Sequence, residues 1–169
     1  MNMETNSNIV EILKDKPLGT KLWTDMFGEV TLSDVDREFD VFQVKHHGRE
    51  TSFNKDGSIC KEGTLCIYPS KLMRDWGKFS WKKGDVLVNK DRDVHIIFEK
   101  FEDDAYKNFH GQYYLWEEGG SMVSFEEDEN YMQTSDFNKA NKEDAQEYIH
   151  KIEKILGGKL NRETLEIEK

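Results

Sequence analysis

From Thr20 onward the apolar side chains recur at every second residue in short runs broken by Gly or Asp-Gly, as in TKLWTDMFGEVTL, EFDVFQVKHH and ETSFNKDGSICKEGTLCIYP. That period belongs to strands with one buried face, so a helical bundle is excluded for most of the chain. The runs are rich in Val, Phe, Thr and Ile, which suit a pleated, half-buried surface. Hydrophobic residues make up 36% of the sequence and aromatic residues 12%, so the core is built from few but large side chains. This is the profile of an aromatic-cored β protein and not of a disordered chain.

Two segments break the period of two. In NSNIVEILKDKPLG, Ile9, Ile12 and Leu13 have helical spacing behind an Asn8 cap, and Pro17 and Gly19 end the run. In ANKEDAQEYIHKIEKILGGKL, Ala145, Tyr148, Ile149, Ile152, Ile155 and Leu156 form one helical stripe. Asn141 caps that helix, Gly157-Gly158 stops it, and RETLEIE follows as a terminal strand with Leu165 and Ile167 on one face. KPLGTKLW and WKKGDVLV both place Lys and Gly ahead of a strand, which reads as a weak internal repeat. The expected fold is mainly β with α: two small SH3-like β-barrels in tandem, each about fifty residues, with an N-terminal short helix and a C-terminal amphipathic helix and strand. The expected division is 1–70 for the first helix and barrel, 71–81 for a connector, and 82–169 for the second barrel with its helix and strand.

The formal net charge is −10, and it is uneven. Residues 1–81 carry 11 basic and 13 acidic side chains, 82–137 carry 6 and 14, and 138–169 carry 7 and 7. An acidic surface repels phosphate, which argues against direct nucleic-acid binding and against adhesion to anionic membranes. No apolar run approaches the ~20 residues of a membrane helix, and the start of the chain lacks the basic-then-apolar order of a signal peptide. Cys60 and Cys66 are too few for a disulfide scaffold. The expectation is a cytoplasmic protein.

The connector, YPSKLMRDWGKFSW, holds two of the four tryptophans. Pro69 ends a strand, Ser70 caps a short turn, and Arg74 and Asp75 lie within it. On one reading Trp76, Phe79 and Trp81 fill a seam between the barrels while Arg74 is anchored on a buried or partly buried carboxylate. On the other, Trp76 and Trp81, with Arg74 and Asp75, line a groove for a partner peptide. Phe27-Gly28-Glu29-Val30, Asp56-Gly57, Pro69-Ser70-Lys71 with Arg74-Asp75-Trp76, Asp85-Val86-Leu87-Val88, and Asn161, Thr164 and Leu165 recur along the chain as one outline. In these residues the chain resembles a family of uncharacterised proteins from gut Bacteroidales and their phages or mobile elements. Tyr68 stands where that family more usually has Phe. The resemblance implies an architecture and a biological setting, and it brings no catalytic residues.

Chemistry-bearing motifs are sparse. Asn54, Asp56 and Ser58 alternate like calcium-loop ligands, but the glycine and the bidentate Glu are out of register, so a turn at Asp56-Gly57 is the better reading. His46 and His47 are adjacent and therefore point apart on a strand; His95, His110 and His150 are scattered. No metal, cofactor or catalytic residue is assigned from the sequence, which lacks GxSxG, P-loop and GxGxxG motifs. Glu126-Glu127-Asp128-Glu129 is a loop-type charge run, of the kind that is usually a solvated face. Set beside Tyr113, Tyr114 and Trp116, however, such carboxylates could imitate a nucleic-acid strand in the basic groove of an enzyme. The expected function is that of a non-catalytic protein-interaction module with a protein partner, an accessory protein of a phage or mobile element. The alternatives are the acidic mimic and an enzyme with a dispersed site.

Overall fold

The computed structural model describes residues 8–59, 64–89, 91, 94–115, 120–124 and 132–169. The protein is mainly β, with 42% strand and 19% helix, and is built from antiparallel sheets with one half-barrel among them. It divides into two compact units: Met1–Ser80 with Asp104–Tyr106, and Trp81–Asp103 with Lys107–Lys169.

The first unit opens with α1 (Ile9–Leu13), capped by the Asn8 side chain, and its sheet is built from β1 (Lys21–Thr24), β2 (Gly28–Asp36), β3 (Val41–His46), β4 (Arg49–Asn54) and β5 (Ile67–Tyr68). The strand order is β4-β3-β2-β1-β5, antiparallel throughout. The period-two reading holds through β1, β3 and the first half of β2, up to a register shift after Leu32. Leu22 and Thr24, Val30 and Leu32, and Phe42 and Val44 turn inward and are buried, together with Phe53 and Ile67. Ile9, Val10 and Leu13 of α1 are buried as well. His47 and Gly48 (φ +48° and +76°) form the two-residue link between β3 and β4, the left-handed geometry that matches strand twist. The Asp56-Gly57 turn is closed by bonds among the three residues that resembled cation ligands: the Asn54 amide donates to Ser58 Oγ (3.2 Å), and the Ser58 hydroxyl donates to Asp56 Oδ1 (2.5 Å).

The second unit carries β6 (Val86–Asn89), β7 (Val94–Phe101), β8 (Asn108–Leu115), β9 (Ser121–Ser124), β10 (Met132–Gln133) and β11 (Asn138–Lys139), ordered β10-β8-β7-β6-β11 with β9 also on β8. Helix α3 (Lys142–Leu156) and the hairpin of β12 (Lys159–Asn161) and β13 (Glu166–Glu168) follow. Adjacent residues separate onto the two faces of the sheet. Val86, Val88 and Ile97 pack with Tyr148, Ile149 and Ile152 of α3. Leu87, Ile96 and Phe98 pack on the other face with Trp81, Phe109 and Phe137. Both faces are buried, which is why VLV and IIF read as unbroken apolar runs. Asn141 caps α3 by accepting from the Asp144 N–H, as the sequence predicts, whereas Ile155 of the expected stripe is 47% exposed.

Of the two SH3-like barrels expected from the sequence, the structure shows antiparallel sheets with one half-barrel. Among the described residues no pairing joins the first and last strands of either large sheet. Alternation specifies which face of a strand is buried, but closure depends on pairing between strands far apart in the chain.

Gly84 leads into β6 with φ +95°, and a Cβ there would lie 2.6 Å from Arg162 Cβ and 2.8 Å from the Arg162 carbonyl oxygen. The Arg162 turn is itself held by Asn161 Oδ1, which accepts from the Glu163 and Thr164 N–H groups (2.8 and 3.1 Å). Gly84→Ala is therefore expected to cost on the order of 2 kcal/mol in strain and displacement. A lower denaturant midpoint at an unchanged m-value would show it; an unchanged midpoint would show that the Arg162 turn yields.

Candidate functional site

The connector motif resolves into inward and outward roles. Ser70 Oγ accepts from the Met73 N–H (2.9 Å) and donates to the Ala105 carbonyl (2.5 Å), which sets the turn after Pro69. Asp75 caps α2 (Trp76–Phe79) by accepting from the Lys78 N–H at 3.1 Å. Trp76 is 5% exposed, sits edge-on to Phe79 with ring centroids 5.6 Å apart, and donates its indole N–H to the Ile67 carbonyl at 3.0 Å. Trp81 belongs to the second unit, is 2% exposed, and lies among Phe98, Phe101 and Phe109. Neither indole presents a face that a partner peptide could line, so each serves the core of its own unit. Buried aromatic area of this size dominates core energetics.

Arg74 points outward. Its guanidinium donates to Asp25 from Nη2 (2.9 Å) and Nη1 (3.3 Å), and from Nε to the Lys71 carbonyl (3.0 Å). The carboxylate that anchors it is 60% exposed, in contrast to the buried or partly buried one expected. Arg74, and after it the Trp23 indole N–H (3.2 Å), holds the Asp25 carboxyl below its ordinary range, and Asp25 in turn raises Arg74. Arg74 also covers the Tyr68 ring at 4.5 Å, while the Lys71 ammonium lies 5.6 Å from the Trp23 ring centroid. Trp23 and Tyr68 are register partners across β1 and β5. The result is a neighbouring aromatic pair carrying one cation on each member, with Asp25 bonded to both Trp23 and Arg74.

Beside it lies a groove of about 260 Å³ lined by the apolar Leu22, Trp23, Pro69 and Leu72, with the charged Lys21, Glu29, Lys71 and Asp104 also contributing. Sequence reasoning passed over Trp23 as a site residue. The signal was present, because Trp23 sits between Leu22 and Thr24, both buried, and alternation puts it on the opposite face.

The remaining candidates lie in the second unit. Tyr113 is half-buried against the aromatic cluster, Tyr114 is buried, and Trp116 and the 126–129 acidic run lie outside the described residues. Of the histidines, His46 stacks on Phe27 (4.0 Å), His150 is exposed, and His95 lines a larger cleft of about 550 Å³ with Tyr114, Asp144 and Tyr148. The cleft has a structural cause. Continuing the Ile97–Gln112 register of β7 and β8 would set His95 opposite Tyr114, but the Tyr148 hydroxyl occupies that rung, accepting from the Tyr114 N–H and donating to the His95 carbonyl, both at 3.3 Å. Burial pushes the Tyr148 phenol up to about 12.

Among the described residues no three His, Cys, Asp or Glu side chains converge as metal ligands, and no helix is long and apolar enough to cross a membrane. Cys66 is a free thiol that donates to the Thr64 carbonyl, and Cys60 lies outside the described residues. The chain matches no family model, no curated protein and no solved structure.

Proposed function

We propose that this protein is a non-catalytic protein-interaction module that meets its partner through the Trp23–Tyr68 face of the first unit. The observation that carries this reading is the half-buried Trp23, held by Asp25, flanked by Lys71, and set beside a groove with an apolar lining. Tryptophan, tyrosine and arginine are the side chains that dominate binding energy at interfaces, and here all three are pre-ordered, which lowers the entropy cost of association. Leu72, 65% exposed at the groove, extends the apolar contact area. The kinship to SH3-like barrels and the setting, an accessory protein of phages or mobile elements of Bacteroidales, belong to the same proposal. The latter is supported by the resemblance in Pro69-Ser70-Lys71 and Arg74-Asp75-Trp76.

The test compares quantitative capture of proteins from host lysate by the wild-type chain and by Leu72→Asp and Trp23→Ala. Leu72→Asp changes an exposed side chain, so its stability is expected to stay within about 0.5 kcal/mol of wild type. A specific partner is expected to be reduced about tenfold or more by either substitution. Equal capture by all three chains would remove the groove from the interface. Repeating the capture at low and high salt separates this reading from the acidic mimic, because mimicry of a nucleic acid depends steeply on ionic strength.

A further inference from the structure

The two units repeat one arrangement of strands. In each, the successive strands of a meander pair in order, and a short strand returns to the free edge of the first: β1 to β4 with β5, and β6 to β10 with β11. The match extends to single bonds. Gly19 and Gly84 (φ +93° and +95°) precede the two first strands and donate to the Leu32 and Phe98 carbonyls (2.7 and 2.9 Å). The Leu32 and Phe98 N–H groups donate back to the Thr20 and Asp85 carbonyls (2.9 and 2.8 Å), and directly after them both second strands shift register. The registers then equate Lys21 with Val86, Trp23 with Val88, Glu29 with His95 and Thr31 with Ile97. On the returning strands Tyr68 equates with Asn138, and so Ser70 with Ala140.

In the second unit this face belongs to α3. Val86, Val88, Ile97 and Ala140 are buried with Tyr148 and Ile152, and His95 bonds Asp144 in the helix's first turn (3.0 Å). In the first unit the matching Lys21, Trp23, Glu29 and Ser70 line the groove of about 260 Å³, to which neither α1 nor α2 contributes a residue. The cause is local: the second unit runs from β11 through Ala140 straight into α3, whereas the first turns at Ser70, whose hydroxyl accepts from the Met73 N–H (2.9 Å). Resting on the reading of the Trp23–Tyr68 face as the interaction surface, we infer that its occupant is an amphipathic helix of the partner, seated where α3 sits in the second unit. Trp23, Pro69 and Leu72 meet its apolar stripe. Lys21 and Thr31 stand in place of Val86 and Ile97, which keeps the empty face soluble and suits a partner that comes and goes. Charge distinguishes the occupant from α3 itself. Where Asp144 meets His95, the first unit offers Glu29, a 60% exposed carboxylate that accepts from Lys21 (3.2 Å) and has lone pairs for a second donor. The occupant therefore carries Lys or Arg at that position of its first turn. Edge addition of an extended peptide is the poorer fit, since β5 offers two residues.

The experiment titrates the full chain, followed by NMR of its indole and methyl groups, with capped synthetic peptides of residues 141–157. They are the α3 sequence, the same with Asp144→Arg, and the latter with Ile149→Pro added, which breaks the helix. The Asp144→Arg peptide is expected to saturate, to shift Trp23 and Leu72, and to bind about tenfold more tightly than the unchanged sequence, because an attraction replaces a repulsion at Glu29. Glu29→Lys alters an exposed side chain, with the fold checked by melting, and is expected to reverse that order. The proline peptide is expected not to bind. No saturation by the Asp144→Arg peptide, equal binding of the proline peptide, or a preference unmoved by Glu29→Lys would each overturn the inference. Shifts confined to Tyr114 and Ile152, the mark of exchange with α3 in its own unit, would do the same. Should the helix fall while Leu72→Asp still lowers partner capture, the interaction face stands without it; capture equal in all three chains removes the face itself.

Discussion

Replacing Trp76 with alanine is expected to remove most of the stability of the first unit. The indole is 5% exposed and packs edge-on against Phe79, which in turn packs on Tyr106 with centroids 4.7 Å apart. Truncating a buried tryptophan to alanine typically costs about 3–5 kcal/mol through lost transfer energy and the cavity left behind. The Ile67 carbonyl also loses its 3.0 Å donor, and an orphaned buried acceptor costs about 1–3 kcal/mol more. Domains of this size have about 5–15 kcal/mol in total, and 1 kcal/mol moves the melting point by about 4–8 °C. A fall of about 16 °C or more is therefore expected. Trp76→Phe bears on the contributions, since it keeps a six-membered ring of apolar filling and removes the N–H together with the five-membered ring. A melting point unchanged by Trp76→Ala, together with lost partner capture, would return Trp76 to the interface.

The same tryptophan shows how far the sequence could be read. Its placement in a cap-and-turn segment was legible from Pro69 and Ser70, which act on their immediate neighbours, whereas the cap that Asp75 supplies to α2 was not anticipated. Whether its ring faced a core or a partner was not, since that depends on Ile67 and Phe79 being brought around it by the fold. The strands of the first unit were legible for a related reason: one buried face leaves a period of two at Leu22–Thr24, Val30–Leu32 and Phe42–Val44. In the second unit the sheet is buried on both faces, so Val86-Leu87-Val88 and Ile96-Ile97-Phe98 lose the alternation and tell less about orientation. Arg74 was recognised as an anchor, but its partner Asp25 lies 49 positions away, and no local pattern announces such a pairing. The His95–Asp144 pair, also 49 positions apart, was hidden in the same way. Site residues drawn from different elements become visible only once the topology is known.

Tyr148→Phe is expected to be the most damaging small change in the second unit, although it deletes a single oxygen. The phenylalanine ring still fills the space between β7 and β8, so the strands cannot close to pair the His95 carbonyl with the Tyr114 N–H directly. Both backbone groups then lose the hydroxyl that now satisfies them, at 3.3 Å each. An unsatisfied buried polar group costs about 1–3 kcal/mol, so the pair is expected to cost about 2–4 kcal/mol at neutral pH. Faster hydrogen exchange at the Tyr114 amide would localise the loss. The wild-type chain carries a second signature. Tyr148 ionises at an ordinary value near 10 when unfolded and at about 12 when folded, with burial as the main cause. A folded value raised above the unfolded one means that the contribution to stability is complete below about pH 10. It is lost as pH rises towards 12, because the unfolded chain releases its proton first. The loss amounts to about 2–3 kcal/mol across that window. Tyr148→Phe has no such proton to release, so its stability is expected to fall less steeply over the same range. A neutral-pH stability equal to wild type would show that the hydroxyl is not the rung between the two strands, and parallel alkaline limbs in the two proteins would show that burial does not raise the Tyr148 phenol.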